Sequence, residues 1–220
     1  MSIKAVVFDF GNVISMPQDT NAIEKLAEKI GVKREIFEPL LWSLRSEFDR
    51  GTICARTYYK NILSRFDISM NDEAIDEMIQ MDLMSWKSIN LETVTLMEEI
   101  KKAGLLLGIL SNIPSEFLTW AKKNIPVFSL PDIGLFSCEV NLIKPEEAIY
   151  RKLLSLLGVQ GSETVFFDDI EKNIEAARAL GINAFLWKDP QKARLELSSL
   201  GLFLPRTTTN HHEHFASTTL

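Results

Sequence analysis

Histidine is almost missing from this chain. Its three copies, His211, His212 and His214, all fall in the last ten residues, and residues 1–210 contain none. A serine or cysteine nucleophile activated by imidazole, or a histidine-ligated zinc, cannot be assembled in the body of the protein unless the tail folds back. Cysteine is nearly as scarce. Cys54 and Cys138 are far apart and show no CxxC spacing, so two buried, unlinked thiols in a reducing cytoplasm are expected. Positive charge is also thin: 24 Lys and Arg face 30 Asp and Glu, giving a net charge of −6 with no basic cluster longer than a pair. That balance argues against a nucleic-acid partner. No apolar run approaches the length of a membrane span, and the first residues lack a signal-peptide pattern, so a cytoplasmic protein without membrane attachment is expected.

What remains for chemistry is carboxylate, lysine, hydroxyl and backbone. With 46% apolar and 25% charged residues, the chain has the proportions of a folded globular protein. Its 220 residues suit one large α/β domain or a core carrying an insertion.

The patterning divides the chain. Residues 3–8 (IKAVVF) form a β-branched apolar run closing on Asp9 and Gly11, the mark of a strand buried on both faces. Residues 15–90 carry helical patterns only, roughly four of them; Ile23, Leu26, Ala27 and Ile30 give the stripe of an amphipathic helix. From Leu91 strands and helices alternate: strands at 105–110, 135–140, 163–169 and 182–187, and a helix with Pro145 in its first turn ending at Gly158. The expected fold is α/β, a Rossmann-like doubly wound parallel sheet from residues 1–14 and 91–204, with an inserted all-helical cap over 15–90. Residues 205–220 read as a mobile tail in which HHEH (211–214) could chelate a metal only incidentally.

In such folds ligands bind beyond the carboxyl ends of the strands. Those ends carry Asp9 and Gly11, then Ser111-Asn112, then Lys144-Pro145, then Asp168-Asp169. Singly, each has an ordinary reading as a turn, a helix cap or a surface lysine. Together they bring three carboxylates, a lysine and a hydroxyl to one edge. Three converging carboxylates repel one another unless a cation sits among them, and an all-oxygen set suits Mg²⁺. Lysine, hydroxyl and backbone N–H groups would hold phosphoryl oxygens, and a carboxylate facing a phosphoryl group is a nucleophile for an aspartyl phosphate.

These residues, in this order, resemble the haloacid dehalogenase superfamily: VVFDFGNV (6–13), LGILSN (107–112), Lys144-Pro145 and VFFDDIEKNIEAARALG (165–181) match its four motifs across residues 3–188. The helical insertion resembles the cap of the C1 branch, and the later motifs resemble bacterial sugar-1-phosphatases and the phosphatase half of soluble epoxide hydrolases. The resemblance implies a Mg²⁺-dependent phosphatase acting on a small phosphorylated metabolite, with a sugar phosphate favoured, as a monomer or homodimer. It makes Asp9 the nucleophile and a metal ligand, with Asp169, Asp168 and the Gly11 carbonyl completing the metal set. Ser111, Asn112 and Lys144 would bind the phosphoryl group, Lys144 also orienting Asp9.

One position departs from the pattern. The second aspartate of the first motif, which in the family protonates the leaving group and then activates water, is Gly11 here. Such proton transfer is worth about 10²–10⁴-fold. Either the substrate has a good leaving group, or a cap residue such as Glu47 or Asp49 substitutes, or activity is vestigial; some sugar-1-phosphatase-like relatives carry glycine there, which favours retained activity. A metal-free dehalogenase would not need the missing acid, but its relatives lack the paired acids Asp168-Asp169. A phosphomutase would need it twice. A non-catalytic phosphate-binding protein is the reading from another class, and Gly11 is its only support. Trp42, Tyr58, Tyr59, Phe66 and Trp86 are expected to be mostly core of the helical segment, with hinges near 15–18 and 88–91.

Overall fold

The computed structural model describes residues 2–205; the remainder of the tail, with its three histidines, lies outside the described residues. The first strand, β1 (Ala5–Phe8), is buried at all four positions. Five helices follow before the next strand region: α1 (Thr20–Lys29), α2 (Arg34–Ser43), α3 (Arg45–Arg50), α4 (Ala55–Ser64) and α5 (Asp72–Ser85). Then come α6 (Leu91–Lys102), β2 (Leu106–Ser111), α7 (Ser115–Asn124), β3 (Ile133–Phe136) and the short α8 (Ser137–Val140). The chain continues through α9 (Glu147–Leu157), β4 (Thr164–Asp168), α10 (Glu171–Ala179), β5 (Asn183–Leu186) and α11 (Pro190–Ser199).

The five strands form one parallel sheet in the order β3-β2-β1-β4-β5, the Rossmann-like α/β arrangement expected from the alternation. Strand alternation sorts the core into two clusters. Val6 and Phe8 join Ile109 and Phe167 in the larger one, which continues without a break into Phe37, Leu41, Tyr58 and Ile62 of the helical segment. Ala5 and Val7 turn the other way, against Ile149 and Leu153 of α9 and Ile174 of α10. After β1 the chain first builds outward through β2 and β3, then returns to lay β4 on the other side of β1. The strand order therefore reverses at β1, which opens a crevice at its carboxyl end. Register sets the level of that crevice: Phe8 pairs with Ile109 on one side and with Phe167 on the other, so Asp9 stands level with Leu110 and Asp168.

The helical segment leaves and rejoins this sheet at one place. Ser15 and Ile89 form an antiparallel bridge, Met16 N donates to the Ser88 carbonyl at 2.8 Å, and Asn90 N donates to the Ile14 carbonyl at 2.9 Å. Helix starts follow their sequence signals: Asp19, Asn71 and Asn90 cap α1, α5 and α6 with their side chains.

Four local expectations need correction. The run at 135–140 is not one strand. Asp132 exchanges hydrogen bonds with the Leu107 backbone, which starts β3 earlier at Ile133, and the Ser137 hydroxyl accepts from Ile113 N, which turns the chain into α8. Pro145 does not sit in the first turn of α9, because Glu146 is its N-cap residue. There are five helices rather than four in the segment, since the chain is non-helical at Leu44 and α3 stands apart from α2. Of the cysteines, Cys138 is half-buried but Cys54 is exposed, standing just before α4 with its sulfur 3.3 Å from the Thr57 hydroxyl; both are free thiols.

Candidate active site

The carboxyl ends of β1, β2 and β4 deliver Asp9, Ser111 and Asp168 to the wall or floor of the crevice, and the segment after α8 delivers Lys144. Ser111, the last residue of β2, is 3% exposed and lines the cavity above Asp9. Lys144 is equally buried, and its ammonium is shared three ways: Asp9 Oδ1 at 2.8 Å, Asp168 Oδ2 at 2.5 Å and the Leu110 carbonyl at 3.0 Å. These three contacts fix the position of the ammonium. Burial alone would depress the Lys144 ammonium, but Asp168 and Asp9 more than reverse this and hold it charged.

Asp9 feels the opposite balance. Loss of water pushes its carboxyl up from 3.8 to about 7; Lys144 resists, while Asp168 and Asp169 push the same way. Phe10 N donates to Asp9 Oδ1 at 2.7 Å, so Oδ1 is held by both backbone and lysine. Asp168 is fully buried: Oδ1 accepts from Ile170 N at 2.8 Å and from Asn173 Nδ2 at 2.9 Å, while Oδ2 holds the lysine. Asp169 is only partly buried, and its carboxyl is raised, first by desolvation, against a hydrogen bond from Asn12 Nδ2 at 2.8 Å.

Carboxylate oxygens of Asp9, Asp168 and Asp169 all lie within 4.8 Å of one another. One lysine does not balance three such charges, and every donor is an oxygen. That set fits a hard divalent cation such as Mg²⁺.

Asn112 and Gly11 both line the cavity. Asn112 spends its side chain on the backbone of Lys144: Oδ1 accepts from Lys144 N at 2.8 Å and Nδ2 donates to its carbonyl at 2.9 Å. It positions the lysine, and its amide is engaged there. The Lys144–Pro145 peptide is cis. Gly11 lines the cavity, and its backbone is not in the left-handed region; a β-carbon there would meet only the Trp86 ring, at 3.6 Å.

The cavity has a volume of about 250 Å³. Its far wall comes from the helical segment: Trp42, Arg45, Asp49 and Trp86. Arg45 is buried, stacked 5.4 Å over Trp42, and paired with Asp49 at 2.8 Å and Asp82 at 3.3 Å. Of the aromatic residues expected in the core of this segment, Tyr58 and Tyr59 are fully buried and Phe66 packs against the core, whereas Trp42 and Trp86 face the cavity. Sequence reasoning missed Arg45, Asn12 and Asn173. The Gly-Asn pair directly after Asp9-Phe10 was the available signal for Asn12, which the structure holds at positive φ (57°); Asn173 lay inside an amphipathic helix pattern, and Arg45 inside a helical pattern that did not mark it as a site residue.

Comparison with known proteins agrees with this arrangement. A family model described as haloacid dehalogenase-like hydrolase matches residues 3–181. The chain is 28% identical over 215 residues to phosphatase MT3486 of Mycobacterium tuberculosis, covering 93% of this chain and 98% of that protein. It is 25% identical over 223 residues to bifunctional epoxide hydrolase 2 of Mus musculus, covering 91% of this chain but 39% of that longer protein. Among solved structures, the HAD family enzyme BT-2542 of Bacteroides thetaiotaomicron, in complex with magnesium and inorganic phosphate, shares the fold with a TM-score of 0.69 at 23% identity, covering 85% of this chain and 95% of that one.

Proposed function

The chain belongs to the haloacid dehalogenase-like hydrolase family, and from that premise we propose that it is a Mg²⁺-dependent phosphatase of small phosphorylated metabolites, sugar phosphates first among them. The observation that carries this reading is the cluster of Asp9, Asp168 and Asp169 within 4.8 Å beside a buried lysine. A relative named phosphatase that matches nearly end to end supports it, as does a fold neighbour solved with magnesium and phosphate.

In this reading Asp9 Oδ2 is the nucleophile, since Oδ1 is held by Phe10 N and Lys144. It attacks phosphorus, the ester oxygen departs, and the aspartyl phosphate is then hydrolysed. Asp9, Asp169 and the Gly11 carbonyl, with Asp168 directly or through water, would hold Mg²⁺, which would supply positive charge toward the phosphoryl oxygens. Ser111 and Lys144 bind the same oxygens, and Asn112 acts by fixing Lys144. Residues 15–90 serve as the cap and residues 1–14 with 91–204 as the core, the cap closing the cavity over the reacting groups.

A dehalogenase of the same family attacks carbon and expels halide without a cation, and the crowding of three carboxylates weighs against it. The experiment is phosphate release from a panel of sugar phosphates, nucleotides and acyl phosphates in Mg²⁺, with Asp9→Asn as the blank. Phosphate release abolished by Asp9→Asn and by chelator supports the reading; halide release from 2-haloacids in chelator, without phosphate release, overturns it.

A further inference from the structure

Gly11 has no group to protonate a departing oxygen, so hydrolysis of an ester with a poor leaving group needs a donor elsewhere in the cavity. The carboxyls that line it, among the described residues, are Asp9, Asp169 and Asp49. The first two belong to the cation cluster. Glu47 points away: its side chain is 58% exposed and accepts from the Thr52 hydroxyl at 2.6 Å.

We propose that Asp49, presented by α3, is the general acid and base of the reaction, an inference that rests on the phosphatase reading above. Three observations place a usable proton there. First, Asp49 lines the same cavity as Asp9, Ser111 and Lys144. Second, its position relative to them is fixed through backbone. The Ser137 hydroxyl donates to the Asp49 carbonyl at 2.5 Å while accepting from Ile113 N, two residues beyond Ser111. One residue on, Arg50 pairs with Glu146 and exchanges hydrogen bonds with Asn141, so α3 is latched to the segment that carries Lys144. Gly51 permits the close approach: at φ 79°, its β-carbon would lie 2.9 Å from the Cys138 carbonyl oxygen.

Third, the charges around Asp49 suit a group that changes protonation. Arg45 Nε binds Oδ1 at 2.8 Å, and no described residue hydrogen-bonds Oδ2. Burial pushes the carboxyl up from its ordinary value; Arg45 opposes this, Asp82 on α5 adds to it, and Lys144 on the core side opposes it more weakly. Asp82 also takes part of the Arg45 charge, at 3.3 Å, which loosens the grip of Arg45 on the ionised form of Asp49.

The step balances. As Asp9 bonds to phosphorus and the P–O bond to the alcohol breaks, the Asp49 proton passes to the departing oxygen, leaving Asp49 as a carboxylate beside Arg45. Asp49 then takes a proton from the water that attacks the aspartyl phosphate. Inorganic phosphate leaves, and Asp9 and the protonated Asp49 are restored.

The test is kcat/KM, which reports the steps up to leaving-group departure, for butyl phosphate and for p-nitrophenyl phosphate in Mg²⁺. Asp49→Asn should lower the value for the alkyl ester by about 10²–10⁴-fold and leave the aryl ester within about threefold, because nitrophenolate departs without a proton. Glu47→Gln should change neither. Equal losses on both esters, or none on either, would overturn the role of Asp49 while leaving the phosphatase reading intact. Absence of turnover of both esters and of every sugar phosphate, nucleotide and acyl phosphate in the panel above by the unaltered protein would overturn the phosphatase reading itself. The unaltered protein gives a second measurement that does not depend on how the variant folds: across aryl and alkyl phosphates kcat/KM should vary little with leaving-group basicity, and a steep decline toward alkyl esters would overturn the proposal.

Discussion

The Trp86 indole stands 3.6 Å from the place a β-carbon on Gly11 would occupy. Trp86 comes from the end of α5, so one side of the residue at which the resemblance calls for an acid is roofed by an aromatic ring. The contact is an ordinary van der Waals one, and the backbone does not demand glycine. Gly51 is the opposite case, since its left-handed φ of 79° and its contact with Cys138 leave no room for a side chain.

The two glycines should therefore separate in a stability measurement. Gly11→Ala should leave the melting temperature within about 3 °C, whereas Gly51→Ala should cost about 1–3 kcal/mol and lower it by several degrees. Thermal denaturation followed by circular dichroism checks both.

Lys144 faces two buried carboxylates, and its removal leaves both uncompensated. Lys144→Met should destabilise the fold by about 3–5 kcal/mol in urea denaturation. Adding Asp168→Asn should recover part of that loss, because it removes one of the stranded charges. Phosphate release should stay at background in both variants, which separates the stabilising and catalytic parts of the lysine.

Crowding of Asp9, Asp168 and Asp169 within 4.8 Å costs the folded state repulsion that a cation relieves. Titrating Mg²⁺ into chelator-treated protein should raise the melting temperature, by about 5–10 °C at a hundredfold excess over its dissociation constant. Asp169→Asn should shrink this rise markedly. A melting curve indifferent to Mg²⁺ in the unaltered protein would contradict the fit of the site to a divalent cation.

Much of this was legible beforehand because parallel strands announce themselves by apolar runs and the chemistry sits at their ends. Asp9, Ser111 and Asp168 follow from that rule, and the reversal of strand order at β1 brings them together, whereas Lys144 stands beyond α8 rather than at a strand end. Asn112 shows where the rule stops. Its place after a strand marked it as a phosphate ligand but gave no sign that its side-chain amide pairs with the Lys144 backbone, a contact across 32 residues that no local pattern encodes. Cys54 illustrates another limit, since scarcity and the lack of CxxC spacing suggested a buried thiol while its place before a helix left it in solvent. In the wall formed by Trp42, Arg45 and Asp49, Asp49 was legible as a stand-in acid, whereas the place of Trp42 and Arg45 over the cavity was hidden for a related reason. Helical periodicity says which face is buried, but not whether it is buried against protein or over a cavity.

The bridge between α3 and the core has a pH dependence of known sign. Arg50 holds the Glu146 carboxyl below its ordinary value of 4.5, so the unfolded chain takes up that proton more readily than the folded one. The stability from this pair is complete above about pH 4.5 and is lost as pH falls through the depressed value. Because the pair is partly exposed, Glu146→Gln should lower the melting temperature by only about 1–3 °C at pH 7, and the difference should shrink as pH falls below 4.5 through the depressed value.

The paired strands of chain at Ser15 and Ile89 give the molecule a single doorway between its two halves. The segment from α1 to α5 joins the sheet through that doorway and is also held to the core by the Arg50–Glu146 pair and the Ser137–Asp49 contact, none of which makes up the register that aligns Asp9 with Asp168. Selection can thus rework what the enclosed space accepts while the phosphorus chemistry stays in place. With Asp49 on the exchangeable side, however, a proton donor travels with the replaceable part, and a new helical segment would bring or lose catalytic reach along with selectivity.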